Sequence, residues 1–212
     1  MITVIDYGRG NIFSIGQALK HLGAEYEICS DAARIADAEC LILPGVGAFG
    51  DTMSELHQRK LVEPIRSRAQ GGVPLLGICV GMQLLASEGE EFGKHQGLGL
   101  VPGQVNRLPA GDSLAKPVRV PNVGWRRVTF HPRGGDQTII SKGDAMVYFV
   151  HSFALDPDDP DDVLASIEIN GQKVTAAVQR DNVVGYQFHP ENSGEVGLDL
   201  IWQFLKTFRQ IQ

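Results

Sequence analysis

Short apolar runs and helically spaced apolar positions alternate along the first ninety residues. Ile2-Thr3-Val4-Ile5 reads as a buried strand; Ile12, Ile15, Leu19 and Leu22 then recur at helical spacing until Gly23 stops them. Glu25 to Ile28 predicts a second strand, and the Ala-rich stretch from Asp31 a short helix. Cys40-Leu41-Ile42-Leu43 is apolar throughout, which predicts a third strand buried on both faces. Helical residues follow through about Ala69, with a break expected near Pro64. The run Val73 to Ile78 predicts a fourth strand, after which Met82, Leu84, Leu85 and Ala86 begin another helix. Up to Ser87 the order is therefore β-α repeated four times, the signature of a parallel, doubly wound α/β sheet. Ligands of such sheets sit at the carboxyl ends of the strands, where Gly8, Gly45 and Cys79 all fall.

The pattern changes after Glu88. Gly97 to Gly103 reads as a loop, followed by strand-like segments at Gln104 to Leu108, Val118 to Val120 and Trp125 to Phe130, with a turn at Gly134-Gly135. Met146 to Phe153 predicts a strongly apolar strand. Asp156 to Asp162, rich in aspartate and proline, reads as a solvated loop. Val163 to Ile169, Val174 to Gln179 and Val183 to Phe188 predict three further strands, the first two joined by an Asn170-Gly171 hairpin. Gly197, Ile201, Phe204, Leu205 and Phe208 line one face of a final amphipathic helix that covers the sheet. The expectation is a mostly parallel, doubly wound sheet flanked by helices, with a β-rich C-terminal half, in one domain over 1–212.

The chemistry centres on Gly77-Ile78-Cys79-Val80-Gly81. Gly-x-Cys-x-Gly between a strand and a helix is the cysteine form of a nucleophile elbow, with the sulfur raised on a sharp turn between small neighbours. Unpaired N–H groups at a helix start also face such a sulfur. Taken alone, the stretch fits equally a buried cysteine beside a glycine-rich turn. A second piece changes that balance. Gln187-Phe188-His189-Pro190-Glu191 ends the last predicted strand, and His189 and Glu191, two apart on an extended backbone, point the same way. A cysteine nucleophile needs a base, and the base needs a third group to orient it. Pro44-Gly45-Val46-Gly47 carries glycines that could turn N–H groups inward as half of an oxyanion hole, although by itself it reads as a plain turn. The Gly8-x-Gly10 loop lacks the third glycine of a phosphate cradle and reads as a turn whose tip touches something else. His21, His57, His95 and His131 are read as surface residues, and His151 as structural.

Composition narrows the function classes. The chain has 212 residues, net charge −6 and no basic run longer than Arg126-Arg127, which argues against a nucleic-acid role. Cys29, Cys40 and Cys79 form neither a disulfide framework nor a metal spacing. A reducing cytoplasm and no metal or cofactor are expected. Met1 to Ile5 is too short for a signal-peptide core, and no run has the apolar length of a membrane span.

Together these motifs resemble the class I (triad-type) glutamine amidotransferases, and within them the HisH-type glutaminase subunits of imidazole glycerol phosphate synthase. The landmarks run end to end: Asp6-Tyr7-Gly8-x-Gly10-Asn11, Leu43 to Gly47, Gly77 to Gln83, Gly97-Leu98-Gly99, Gly124-Trp125, Tyr148 to Ser152 and Gln187 to Glu191. The resemblance implies a flavodoxin-like class I glutaminase fold and a Cys79-His189-Glu191 triad that hydrolyses L-glutamine to glutamate and ammonia. It implies an oxyanion hole from the Val80 N–H and backbone near Val46. It implies glutamine held by Gly47, the Gln83 side chain and main chain at Ser152 and Phe153. It also implies a heterodimer with a HisF-type (β/α)8 synthase, faced by Asn11, Asn122, Trp125, Arg126 and Asn192, which promotes a productive Pro-Gly-Val-Gly orientation and takes up the ammonia. The sequence departs from the family pattern in that region. Pro121-Asn122-Val123-Gly124-Trp125-Arg126 stands where Pro-His-x-Gly-Trp-Asn is usual, and Asn192 where lysine is usual. The runner-up reading is thus a HisH-like paralogue serving another amidotransferase, such as one that modifies surface sugars. A cysteine peptidase and a catalytically inactive binding module on the same fold are lesser alternatives, because neither needs the complete set of motifs.

Overall fold

The computed structural model describes residues 1–111, 119–131 and 144–209. The strands are β1 (Ile2–Ile5), β2 (Tyr26–Cys29), β3 (Leu41–Gly45), β4 (Leu75–Cys79), β5 (Glu88–Gly89), β6 (His95–Gln96), β7 (Gly103–Arg107), β8 (Asn122–Phe130), β9 (Ala145–His151), β10 (Phe153–Pro157), β11 (Val163–Ile169), β12 (Gln172–Arg180) and β13 (Val183–Tyr186). The helices are α1 (Ile12–His21), α2 (Ala32–Ala36), α3 (Phe49–Gln58), α4 (Val62–Gln70), α5 (Val80–Gln83) and α6 (Gly194–Arg209). Nine strands form the main sheet in the order β2-β1-β3-β4-β13-β12-β11-β8-β9. The first five are mutually parallel and the rest antiparallel. β3 and β4 are buried along their whole length, as expected of central parallel strands covered by helices on both faces. The expected doubly wound parallel core and β-rich second half are present. The turn expected at Gly134-Gly135 lies outside the described residues, as does Val118.

Local chemistry accounts for the helix ends. Asp31 caps α2 by accepting from the N–H groups of Ala33 at 2.8 Å and Arg34 at 3.0 Å, a contribution of about 0.5–2 kcal/mol. The expected break near Pro64 falls earlier. α3 ends at Gln58, Lys60 takes a positive φ of 58°, and α4 starts at Val62. Pro64 then lies in the first turn of α4, where the missing N–H has no intrahelical acceptor anyway. In α6, Leu200, Ile201, Phe204 and Leu205 are buried as the amphipathic pattern requires, each worth roughly 1.5–3 kcal/mol of transfer free energy.

The helix after Cys79 is shorter than its apolar spacing suggests. α5 ends at Gln83 because the next carbonyls find other donors. Leu98 N–H donates to Leu84 O at 2.7 Å, Leu100 to Leu85 O at 2.8 Å and Gly99 to Ala86 O at 2.9 Å. A Cβ at Gly97 would lie 2.2 Å from Ala86 O, so the loop can approach this closely only with glycine there. The Gly97-Leu98-Gly99 landmark is thus the stop for the elbow helix.

A second sheet was not anticipated. β10, β7, β5 and β6 form it in that order, and β5 and β6 are each two residues, too short to carry a pattern. The chain leaves the main sheet at His151 and enters the second at Phe153, so one continuous apolar run divides at Ser152. That crossing faces the end of β4.

The elbow is wedged against β3. A Cβ on Gly81 would lie 1.9 Å from Leu43 O, one on Gly45 2.4 Å from Gly81 N, and one on Gly77 2.6 Å from Gly81 O. Gly81→Ala is therefore expected to lower stability in urea unfolding by at least the roughly 1–3 kcal/mol typical of overpacking. An unchanged midpoint would mean that the close approach imposes no constraint.

Candidate active site

Cys79 is the last residue of β4 and has φ 57° and ψ −113°, a conformation that L residues rarely adopt and that costs of order 1–3 kcal/mol. The strain raises the sulfur out of the strand. Cys79 is 4% exposed and opens into a pocket of about 230 Å3 lined by Val46, Gly47, Val80, Gln83, Glu91, Pro121, Val150, His151, Ser152, Phe153 and His189.

His189 and Glu191 arrive from the segment after β13. The expected extended geometry holds only for His189. Pro190–Asn192 forms a 3₁₀ turn capped by His189, and this turn swings Glu191 back under the ring. His189 Nδ1 lies 2.8 Å from Glu191 Oε1. Cys79 lines the same pocket and interacts electrostatically with the ring. His189 N–H donates to Tyr148 O at 2.9 Å, and Ser193 Oγ donates to His189 O at 2.6 Å, so the backbone under the ring is held by β9 and by the turn. Burial disfavours the imidazolium, but hydrogen bonds and attraction to Cys79 and Glu191 outweigh it and lift His189 from its ordinary value to about 10. Glu191 Oε1 also accepts from Asn11 Nδ2 at 3.2 Å, while Oε2 is buried with no hydrogen-bond partner among the described residues.

The remaining expected site residues fall in three groups. Val46, Gly47, Val80, Gln83, Ser152 and Phe153 all line the pocket. Gln83 Nε2 donates to Phe153 O at 3.0 Å and to Gln187 Oε1 at 3.1 Å, and Gln187 Nε2 points to the Cys79 sulfur at 4.0 Å. Of the residues expected to face a partner, Trp125 is half exposed, packed edge-on against Tyr148, and Asn192 is exposed. Asn11 leans onto Glu191. Asn122 is fully buried, with Arg126 Nε donating to its Oδ1 at 2.8 Å. The turn tip at Gly8-x-Gly10 does touch something else. Tyr7 beside it donates its hydroxyl to Pro44 O at 2.5 Å, and Gly10 sits against the Pro44 ring. Burial and the neighbouring Cys79 push the Tyr7 phenol well up, with Arg9 opposing, so it remains a donor.

Two residues escaped the sequence reading. Glu91 places a carboxylate in the pocket wall and accepts from Phe49 N–H at 2.9 Å, which caps α3 from outside; it follows a two-residue strand that left no periodic signal. His151, read as structural, is also a wall of the pocket. His131 is half-buried and bonded to Ser166, and the His95 ring packs on Gly50, so neither is a free surface histidine. Among the described residues no cluster of His, Cys, Asp and Glu could hold a metal ion, and no helix is long and apolar enough to cross a membrane.

A strained thiol, a paired imidazole and a carboxylate beside an amino-acid-sized pocket equip this site for acyl transfer through a thioester. The family model for glutamine amidotransferase class-I matches residues 3–206, and the chain belongs to that family. It is 46% identical over 205 residues, covering 97% of this chain and 95% of the relative, to the imidazole glycerol phosphate synthase subunit HisH of Geobacillus thermodenitrificans. It is 44% identical over 206 residues (97% and 96%) to the subunit of the same name from Bacillus subtilis. Among solved structures, a glutamine amidotransferase superposes with TM-score 0.73 at 19% identity over 99% of this chain and all of that one. PurLQS from Thermotoga maritima gives 0.71 at 23% identity, over 97% of each chain.

The two pocket histidines set opposite pH slopes on stability. His151 is lowered to about 4, chiefly by burial, with its bond to Phe153 O opposing and His189 adding to the fall. The unfolded chain then binds the extra proton, so stability falls as pH drops from about 6.5 towards 4. His189 is raised, so its contribution is fully present below about 6.5 and is lost as pH climbs through about 10. Urea unfolding across pH should show both limbs, and Cys79→Ala should make the alkaline one shallower. An unaltered alkaline slope in that variant would sever the link between sulfur and ring.

Proposed function

We propose that this chain is the glutaminase subunit of a two-component synthase, with Cys79 as nucleophile, His189 as acid–base and Glu191 as orienting carboxylate. A class-I glutamine amidotransferase frees ammonia from glutamine. In this reading Cys79 sulfur attacks the side-chain amide carbon, and the carbonyl oxygen gathers negative charge between the Val80 N–H and the backbone at Val46 and Gly47. The His189 proton passes to the amide nitrogen, the C–N bond breaks and ammonia leaves. The thioester then takes a water, whose proton returns to His189, and glutamate departs as the Cys79 sulfur is released. Gln83, Ser152 and Phe153 hold the substrate, and the Glu91 carboxylate suits its α-ammonium group. What supports this reading is the pairing of His189 Nδ1 with Glu191 Oε1 at 2.8 Å, at the wall of the pocket that Cys79 also lines.

The relatives named HisH are subunits of imidazole glycerol phosphate synthase. By that likeness the partner is a HisF-type cyclase barrel in the cytoplasm. Its docking face would include Asn11, Trp125, Arg126 and Asn192, and its acceptor would take the ammonia in histidine biosynthesis. The whole of 1–212 acts as one glutaminase domain.

Cys79→Ala should abolish ammonia release, while Glu191→Gln should retain the thiol yet lose about 10²–10⁴-fold in turnover, the size of a positioned acid–base effect. The same Glu191→Gln change should move the alkaline limb of the rate to lower pH, because it removes one cause of the raised His189. Glutamine labelled at the amide nitrogen, supplied with a HisF barrel and its acceptor, should send the label into the imidazole product and speed turnover. Label that stays in free ammonia, with equal turnover with and without the barrel, would point to a different partner.

A further inference from the structure

The hydrolysis has no step for the line of polar side chains that runs from the outer hairpin to the pocket wall. Arg126 Nε donates to Asn122 Oδ1 at 2.8 Å, Asn122 Nδ2 lies 2.9 Å from His151 Nε2, and His151 Nδ1 lies 2.9 Å from Phe153 O. Asn122 and His151 are register partners across β8 and β9. Arg126 lies on the same strand face as Asn122, with Gly124 between them carrying no side chain to separate the two.

The direction of every bond is forced, and both ends of the line demand the same one. A guanidinium has donors only, so Arg126 requires the Asn122 oxygen to face it. The Asn122 amide nitrogen then faces His151, and an amide nitrogen only donates. His151 Nε2 must accept, which leaves its single proton on Nδ1, aimed at Phe153 O. The depressed pKa of His151 agrees with a ring kept neutral. Phe153 O also accepts from Gln83 Nε2, so both of its lone pairs are engaged. This carbonyl belongs to the crossing between the two sheets, where the chain supplies the pocket wall.

We propose that Asn122 and Arg126 are positioning residues for substrate. Through His151 they lock the Phe153 carbonyl and the 151–153 bend in the geometry that receives glutamine. The inference rests on the reading of this pocket as the glutamine site. It assigns an inward task to two residues whose departure from the family pattern otherwise suggests only an altered partner surface. Phe153 O, which only accepts, asks for the same Nδ1 proton from the far end, and Arg126 adds the bond that keeps the Asn122 amide from turning over. A flipped amide would present oxygen to Nε2, compete for the ring proton and loosen its bond to Phe153 O.

The full-length chain, 15N-labelled at histidine, tests this together with steady-state glutamine hydrolysis measured with the HisF barrel present. In the unaltered protein His151 should be protonated at Nδ1 alone. Arg126→Met should leave the proton on Nδ1 but loosen its hydrogen bond to Phe153 O, read as a shifted His151 15N resonance, and raise KM for glutamine about fivefold, the worth of one hydrogen bond, while kcat changes less than twofold. Arg126→Lys, again donors only, should restore both the His151 resonances and KM. Asn122→Asp offers oxygen on both sides and should protonate Nε2. The proposal is overturned if Arg126→Met leaves the His151 resonances unmoved, or if they move and KM does not. An unaltered protein with the stated tautomer that hydrolyses no glutamine would overturn the reading of the pocket, and the positioning role with it; the tautomer measurement tells that failure from a failure of the relay.

Discussion

The packing of the Gly81 backbone against the carbonyl of Leu43 is the constraint on which the site depends. Two main chains approach so closely that no side chain fits between them at 45, 77 or 81. The turn out of β4 has to be made within one residue, and that residue is Cys79, held at φ 57°. The cost of the conformation is met by the surrounding buried strands, which belong to the continuous apolar core. In exchange, the sulfur stands clear of the sheet at the carboxyl edge, and the Val80 backbone lies beside the end of β3. A looser elbow would let Cys79 relax into the strand and bury its sulfur.

The other half of the site is positioned by a different device. The β8–β9 hairpin leaves the antiparallel side of the sheet and reaches back to the segment after β13, where Tyr148 O receives the His189 N–H. One strand thus does two things. Its middle fixes the backbone of His189, and its end crosses to the second sheet and becomes the pocket wall. Movement of this hairpin would alter the base and the substrate wall together. That gives an exposed face bearing Val123, Trp125, Met146 and Val150 a direct mechanical path to the chemistry.

How much of this was legible follows from range. The parallel core was readable because strands buried on both faces are apolar at every position, and because Gly-x-Cys-x-Gly records a local steric demand in five consecutive residues. His189 and Glu191 were also recognisable as a pair, but through an extended geometry they do not share; a 3₁₀ turn, enforced by Pro190 in its first position, brings them together instead. β5, β6 and Glu91 were invisible because two-residue strands have no period. The early end of α5 was hidden for a related reason. Its cause is a set of donors from residues 98 to 100, and helical spacing through Leu84 and Leu85 says nothing about which carbonyls a distant loop will claim. Asn122 and Arg126 could be noticed as departures, yet only three dimensions show that the first is buried and the second turned towards it.

His151 and His189 line one pocket and have opposite tendencies, and the contrast is instructive about what controls a histidine. Both are buried, and burial pushes both towards the neutral form. His189 faces a sulfur and a carboxylate, and those two partners overcome the desolvation. His151 faces a carbonyl and an amide, groups that satisfy a neutral ring fully and offer an imidazolium no countercharge. Two imidazolium rings so near each other would repel, so the neutrality of His151 also protects the charge on His189. The polar line ending in Arg126 therefore bears on the triad without touching it. A ring pinned as a neutral donor to Phe153 cannot become the second cation that would lower the proton affinity of the catalytic base.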